Sequence, residues 1–179
     1  MEQLKHYLEI ALKRGVTDAI VVETAKVFTD AWVKMRCQFG CRMYGKSLCC
    51  PPHAPAPEEM RKVLDSYTYG ILLHRHFAKD FALANDFNGF SDFNDIVLSL
   101  EHAIFFDGYY KAWSVGCGPC KKCKECNIAA TCLHANQARP SMEACGIDVF
   151  RTAMEYGLPI KTLKDRSEEI DTYGLILVE

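Results

Sequence analysis

Apolar residues recur at helical spacing in four stretches of the chain. In the first stretch Leu4, Leu8 and Leu12 fall on one face, and Gly15 follows as a stop signal. The longest stretch has apolar residues three or four positions apart after a capping residue at position 91 or 92. The pattern predicts helices over residues 2–14, 58–66, 92–110 and 147–156.

Short apolar runs bounded by turn residues indicate strands. Residues 69–73 read YGILL and residues 173–177 read YGLIL, and both runs are apolar enough to be central strands. Alternation of these runs with helices predicts an α+β fold, in which a mixed β-sheet carries packed helices and a cysteine-rich, ferredoxin-like cluster loop. We expect a single domain, 1–179, because no low-complexity linker divides the chain. The strands are predicted over 19–22, 26–28, 70–74, 112–115 and 175–178.

Composition narrows the functional classes. The chain has 21 basic and 23 acidic residues, a balance that gives no support for nucleic acid as a partner. Its first fourteen residues are too polar for a secretory signal and no apolar run could span a membrane, so we expect a cytoplasmic protein with no membrane partner. Ten cysteines in a reducing compartment point to metal or redox chemistry rather than to disulfides.

Five of these cysteines lie in the run CGPCKKCKECNIAATC of the cluster-binding segment 116–146, and Cys145 follows them near its end. Repeated C-x2-C spacing is how bacterial ferredoxins hold iron–sulfur clusters, whereas structural zinc sites use two such pairs further apart. The run predicts a [4Fe–4S] cluster, with zinc as the alternative metal. Four thiolates are needed, and two sets are open. One is Cys120, Cys123, Cys126 and Cys132, and the other begins at Cys117 and takes a remote fourth ligand.

A second cysteine group lies in the segment 36–57, where two glycines and four prolines predict irregular structure. Cys37, Cys41 and Cys50 are its best candidates as metal ligands, and Cys50 precedes a proline as the last ligand of a ferredoxin run does. The side chain of Cys49 should point elsewhere, since adjacent side chains diverge in extended chain.

The fourth position of this second site has several candidates. Three residues have side chains that can bind metal at this position: Cys49, Cys145 and His53. The remaining option is that the position stays open, so that the iron can bind substrate. The protein is therefore expected to hold one cluster, and a second one if this N-terminal group also binds metal.

Two other patterns resemble functional sites but are not interpreted as such. Residues 40–47 match the phosphate-binding pattern G-x4-G-K-[ST], but Pro51 and Pro52 would break the helix that such a site needs, so we predict no nucleotide binding. His74 and His76 share one strand face and are expected to be a solvated strand-edge pair rather than ligands.

The cysteine motifs, the segment YGK before CCPP and the segment ARPSMEACGIDV at 138–149 resemble the family of predicted metal-binding proteins called domain of unknown function 2284. The resemblance covers most of the chain. It implies cysteine-bound metal of iron–sulfur character in the cytoplasm, and the family is found mostly in anaerobes. It also favours Cys120, Cys123, Cys126 and Cys132 over Cys117. His134 stands where the family commonly has proline.

These observations predict an iron–sulfur protein that transfers electrons or supports the redox reaction of a partner protein. Two clusters within tunnelling reach would form a relay. Three alternatives remain open: a protein that delivers metal or clusters, an enzyme that uses an open iron, and a zinc-stabilised interaction module. The oligomeric state is not predicted.

Overall fold

The computed structural model describes residues 2–81 and 90–179. Its regular elements alternate along the chain between helices and strands. Five α-helices are present in these ranges: α1 Lys5–Lys13, α2 Ala31–Gly40, α3 Pro57–Asp65, α4 Phe90–Phe106 and α5 Val149–Glu155. Short 3-10 helices span Glu2–Leu4, Thr24–Lys26 and Glu143–Cys145. The strands are β1 Asp18–Glu23, β2 Tyr69–Phe77, β3 Trp113–Val115 and β4 Ile170–Leu177.

The four strands form one sheet in the order β1-β2-β4-β3, with every neighbouring pair antiparallel. The two similar sequences lie side by side at its centre, where Gly70 pairs with Leu177 and Leu73 pairs with Gly174. The α+β class and the two central strands are confirmed. The expected mixed sheet is corrected, because the described strand pairs are all antiparallel and the one parallel contact is an isolated bridge between Gly116 and Ser141.

Both faces of the sheet are covered, as the near-continuous burial of β2 and β4 requires. Ile71 and Leu73 face the cluster that includes residues of α1 and α4, while Leu72 faces the cluster that includes Met60 and Leu64 of α3. Alternate residues of one strand thus belong to different cores, as the two-residue period of a strand dictates. The cysteine loops run between these layers and the surface.

A glycine allows the long helix α4 to approach the sheet closely. A Cβ atom on Gly174 would lie 2.9 Å from a methyl group of Val97, closer than real Cβ atoms come. Helix α4 contacts β3 and β4. It therefore lies beside the start of the cluster loop, which follows β3 directly.

Three predicted elements are wrong or shifted. The strand expected at 26–28 is absent, because residues 24–26 form a 3-10 helix and Thr29 makes only an isolated bridge to Ile147. The segment 36–57 is not wholly irregular, because α2 extends to Gly40. The two central strands are longer than predicted, since Arg75 and His76 continue β2 beyond the predicted end at His74 and β4 begins at Ile170 instead of at residue 175. No helix in the described residues is long and apolar enough to cross a membrane.

Candidate metal centre

Local sequence fixes the ends of the helices around the cysteine segments. The Asp30 carboxylate accepts a hydrogen bond from the Trp32 backbone N–H at 3.2 Å and so caps α2. Pro57 opens α3, and the Glu59 carboxylate accepts a hydrogen bond from the Ala56 backbone N–H at 2.9 Å. Residues 41–56 therefore form a turn-rich loop between two capped helices, and this loop carries Cys41, Cys49 and Cys50.

No helix begins at the lysine of the phosphate-binding pattern. Lys46 lies in a bend, and the Gly45 backbone N–H donates a hydrogen bond to the Pro51 carbonyl oxygen at 2.8 Å. The next helix starts only at Pro57. The helix N-terminus that would bind phosphate is missing from this position, for the reason that the two prolines supply.

Cys49 and Cys50 belong to different thiol groups. The Cys49 thiol donates a hydrogen bond to the sulfur of Cys120, and this interaction raises the pKa of Cys49. Burial raises the pKa of Cys50 to about 11, and the charges of Cys41 and Cys37 add to that shift. The two side chains lie apart as predicted, although residues 48–50 form a turn and a bend instead of the extended chain on which that prediction rested. The N-terminal thiol group is Cys37, Cys41 and Cys50, and the C-terminal thiol group is Cys49, Cys120, Cys123, Cys126 and Cys132.

The C-terminal thiol group lines a cavity of about 450 Å³, which we call the cysteine pocket. All five of its cysteines contribute to the wall, together with Met43 and residues 45–48 of the loop before Cys49. Partial burial and the neighbouring charges of Cys126, Cys120 and Cys132 raise the pKa of Cys123. Mutual effects of this kind require the sulfurs to lie close to one another.

Cys120 is the thiol of this group whose pKa is lowered by its surroundings. The hydrogen bond from Cys49 is the largest cause that lowers its pKa, to about 6, and partial burial opposes the shift. A backbone N–H and the charge of Lys122 contribute in the same direction, followed by His134. These are the surroundings in which a thiolate is the stable form, and the thiolate is what binds metal.

Cys117 points away from the pocket. Its side chain is 3% exposed and packs in the apolar core with residues of α1 and α4. Burial raises the pKa of its thiol to about 12, although a hydrogen bond with Thr172 opposes the shift. The residue therefore has the environment of a core side chain.

Asn94 of α4 holds the backbone at the start of the cluster loop. Its amide oxygen accepts a hydrogen bond from the Cys117 N–H at 2.9 Å, and its amide nitrogen donates to the Cys117 carbonyl oxygen at 2.8 Å. A Cβ atom on Gly116 would come within 2.2 Å of that amide oxygen, so glycine is required beside it. This pair of hydrogen bonds fixes the direction in which the chain leaves β3.

Cys145 is also a core residue. It is 1% exposed, burial raises the pKa of its thiol to about 12, and it packs in the opposite core from Cys117. Together with Cys49, Cys132 and His53 it lines a second, apolar cavity of about 500 Å³. These positions bear on the three candidates for a fourth ligand to the N-terminal thiol group. Cys49 contacts the C-terminal thiol group, and Cys145 and His53 line this apolar cavity.

Glu143 lies next to the N-terminal thiol group and was not predicted from the sequence. The Cys37 thiol donates a weak hydrogen bond to the Glu143 carbonyl oxygen at 3.9 Å. Burial is the largest cause that raises the pKa of Cys37, and the charges of Cys41 and Glu143 raise it further. The contact arises because α2 packs against the 3-10 helix Glu143–Cys145, and no local pattern in the sequence encodes that packing.

The histidine pair differs from its prediction. Strand β2 is internal to the sheet, and His74 is 1% exposed instead of lying at a solvated edge. Its Nδ1 lies 2.8 Å from an Asp18 carboxylate oxygen and its Nε2 lies 2.9 Å from an Asp171 oxygen, which also contacts Nδ1 of His76 at 3.0 Å. Both nitrogens of His74 are occupied by carboxylates, so neither faces a metal.

Within residues 2–81 and 90–179, no three His, Cys, Asp or Glu side chains already converge as a metal site does. The thiols of the cysteine pocket surround a space instead. Their chemistry fits a soft metal or an iron–sulfur cluster, because thiolates favour these over hard cations. Closing a ligand cage would therefore order the cluster loop further, and binding free energy would become folding free energy there.

The burial of Cys117 and Cys145 predicts their reactivity. In the native, metal-free protein we expect iodoacetamide to modify Cys120 first and the other partly exposed thiols of the cysteine pocket more slowly, and to leave these two unmodified, because the rate depends on thiolate fraction and on access. Mass spectrometry of tryptic peptides at successive times measures this. Modification of Cys117 as fast as Cys123 would show that Cys117 faces the pocket, and labelling in denaturant supplies the control for complete reaction.

Comparison with known proteins adds one match. A family model described as predicted metal-binding protein (DUF2284) matches residues 20–178. The match includes both thiol groups. No curated protein and no solved structure matches the chain.

Proposed function

The chain belongs to the DUF2284 family of predicted metal-binding proteins, and from this premise we propose that it is a cytoplasmic iron–sulfur protein that transfers electrons or supports the redox reaction of a partner enzyme. The proposed cofactor is a [4Fe–4S] cluster, which accepts and releases single electrons. Its proposed ligands are Cys120, Cys123, Cys126 and Cys132.

The observation that carries this proposal is that these four cysteines are placed around one cavity. They line the cysteine pocket together, whereas Cys117 packs in the core and leaves the alternative ligand set without its first member. Cys120, Cys123 and Cys126 have the C-x2-C-x2-C spacing of a ferredoxin run, and Cys132 follows after five residues. Cys49 is the fifth thiol of the pocket, and its hydrogen bond to the Cys120 sulfur is the kind of contact that adjusts a cluster's potential.

The protein would order the two loops around the cluster through contacts that are present before metal binds. Asn94 anchors the start of the cluster loop on α4. Arg139 anchors its end, because its guanidinium donates hydrogen bonds to the buried Glu101 carboxylate at 2.8 and 2.5 Å. The ligand-bearing residues between these anchors are the part that metal binding must still order.

A second metal group on Cys37, Cys41 and Cys50 is part of the proposal. Its support is that these thiols lie close together: after burial, the charges of Cys41 and Cys37 raise the pKa of Cys50, and the charge of Cys41 raises the pKa of Cys37. Adjacent Cα atoms are about 3.8 Å apart, so two groups that meet at Cys49 and Cys50 would lie on the order of 10 Å from each other. That separation suits an electron relay.

Replacement of Cys50 tests the second group. With both groups filled the protein should carry about eight iron atoms per chain, and Cys50→Ser should reduce that to about four while the electron paramagnetic resonance signal of the remaining reduced cluster persists. Faster amide exchange in 41–56 should accompany the loss, because metal would no longer order this loop. Cys145→Ser is the matched control and should keep all the iron. Unchanged iron in Cys50→Ser would restrict the protein to one cluster.

A further inference from the structure

The mouth of the cysteine pocket is positively charged. Four lysines line it, and Glu125 is the one acidic residue that does so among the described residues. The protein as a whole has a net charge of −2, so this positive charge is a local concentration and not a property of the whole surface. We call these lysines the lysine rim: Lys46, Lys121, Lys122 and Lys124.

The rim draws on two separate parts of the chain. Lys46 comes from the loop that carries Cys49, and the other three come from the cluster loop. Lys122 is paired with Asp95 of α4, with its Nζ 2.6 Å from the carboxylate oxygen. Lys46, Lys121 and Lys124 are exposed, and they place their charge where a partner can reach it.

Exposed apolar residues lie beside the lysine rim. Ile128 is 45% exposed and lines the same pocket. Leu133 is 85% exposed and lies between Cys132 and His134, which both line it. Apolar residues next to a charged border are typical of a surface that another protein covers.

We propose that the lysine rim, with Ile128 and Leu133, is the docking surface for an acidic redox protein, an inference that rests on the proposed iron–sulfur function. Charge complementarity identifies the partner: carboxylates around its own redox centre would face Lys46, Lys121 and Lys124. One electron leaves the reduced chain and is accepted by the oxidised partner, or passes in the reverse direction. The lysines would raise the rate of encounter, since complementary charge speeds association by about 10- to 1,000-fold at low salt.

Two forms of one electron acceptor test this directly. Native cytochrome c is basic, and succinylation of its lysines makes the same protein acidic. At low ionic strength the reduced wild-type chain should reduce the succinylated form about 10-fold faster than the native form, and this preference should vanish at high salt, where charges are screened. Stopped-flow absorbance of the haem measures both rates.

A pair of double variants isolates the lysine rim. K121E/K124E should reverse the preference between the two cytochromes at low salt. K161E/K164E makes the same change in net charge at exposed lysines that do not line the pocket, and it should keep the wild-type preference. Iron content is measured first, and if K121E/K124E holds less iron than wild type, K121Q/K124Q is compared in its place and should abolish the preference.

The outcomes separate this proposal from the proposed function. Equal rates with both cytochromes at low salt, or equal effects of the two double variants, would overturn the docking surface while the cluster stands. Such a result would mean that the lysines only offset the negative charge of the thiolates. A wild-type protein with no cluster, which reduces neither form, would overturn both proposals.

Discussion

Cys123→Ala should abolish the C-terminal cluster, whereas Cys117→Ala should retain it. Cys123 lies in the cysteine pocket among three other candidate ligands, whereas Cys117 is 3% exposed in the apolar core. A cluster that loses one of four thiolates also loses the stabilisation that orders its loop. Iron and acid-labile sulfide per chain, determined after anaerobic purification, are the measurements.

The Cys117→Ala variant is the matched control, because it removes one sulfur from the same segment. We expect it to keep the iron and to lose about 1 kcal/mol of unfolding free energy, the typical cost of removing a small buried group. Iron loss of the same size in both variants would show that the ligand set begins at Cys117. Iron retained in both would place the metal outside this loop.

Arg139→Ala should be among the most destabilising single substitutions in the protein. The Glu101 carboxylate is buried and accepts four hydrogen bonds, two from Arg139 and two from Ser114. The guanidinium also lies 4.1 Å from the centre of the Trp113 ring. Removing one partner of a buried ion pair leaves an uncompensated charge, so we expect a loss of about 3–5 kcal/mol in unfolding free energy. Urea denaturation at equal metal content measures it.

Two further variants identify the cause of that loss. Arg151 also lies over an aromatic ring, 3.9 Å from the centre of Phe28, but it is exposed, so Arg151→Ala should cost about 0.5–1 kcal/mol. The double variant Glu101→Gln with Arg139→Met should recover part of the stability, because no buried charge is left unpaired and the Gln amide oxygen can still accept from Ser114. A cost for Arg139→Ala no larger than that for Arg151→Ala would contradict the anchoring role given to this pair.

The central strands were predictable because their signal is local. The runs YGILL and YGLIL are short, apolar and bounded by turn residues, and they became the paired strands β2 and β4. The polar continuation of β2 was not predictable in the same way. His76 extends that strand beyond the predicted end at His74, because Thr17 accepts a hydrogen bond from its backbone N–H and an Asp171 oxygen lies 3.0 Å from its Nδ1, and such partners are known only when the strand order is known.

The candidate site also has features that could be predicted from the sequence and features that could not. The C-x2-C spacing groups the later cysteines, and this feature could be derived from sequence. The contact between Cys49 and Cys120 could not, because it depends on how two distant loops meet. The position of Lys46 at the cysteine pocket also depends on how these loops meet. Its match to the phosphate-binding pattern gave no indication of that position.

Metal and sulfide analysis of the protein purified without oxygen tests the central claim most directly. The account predicts a brown protein with iron and acid-labile sulfide in equal amounts, at least about four of each per chain, and no stoichiometric zinc. Stoichiometric zinc with no sulfide would contradict it, and would make the cysteine pocket a structural zinc site.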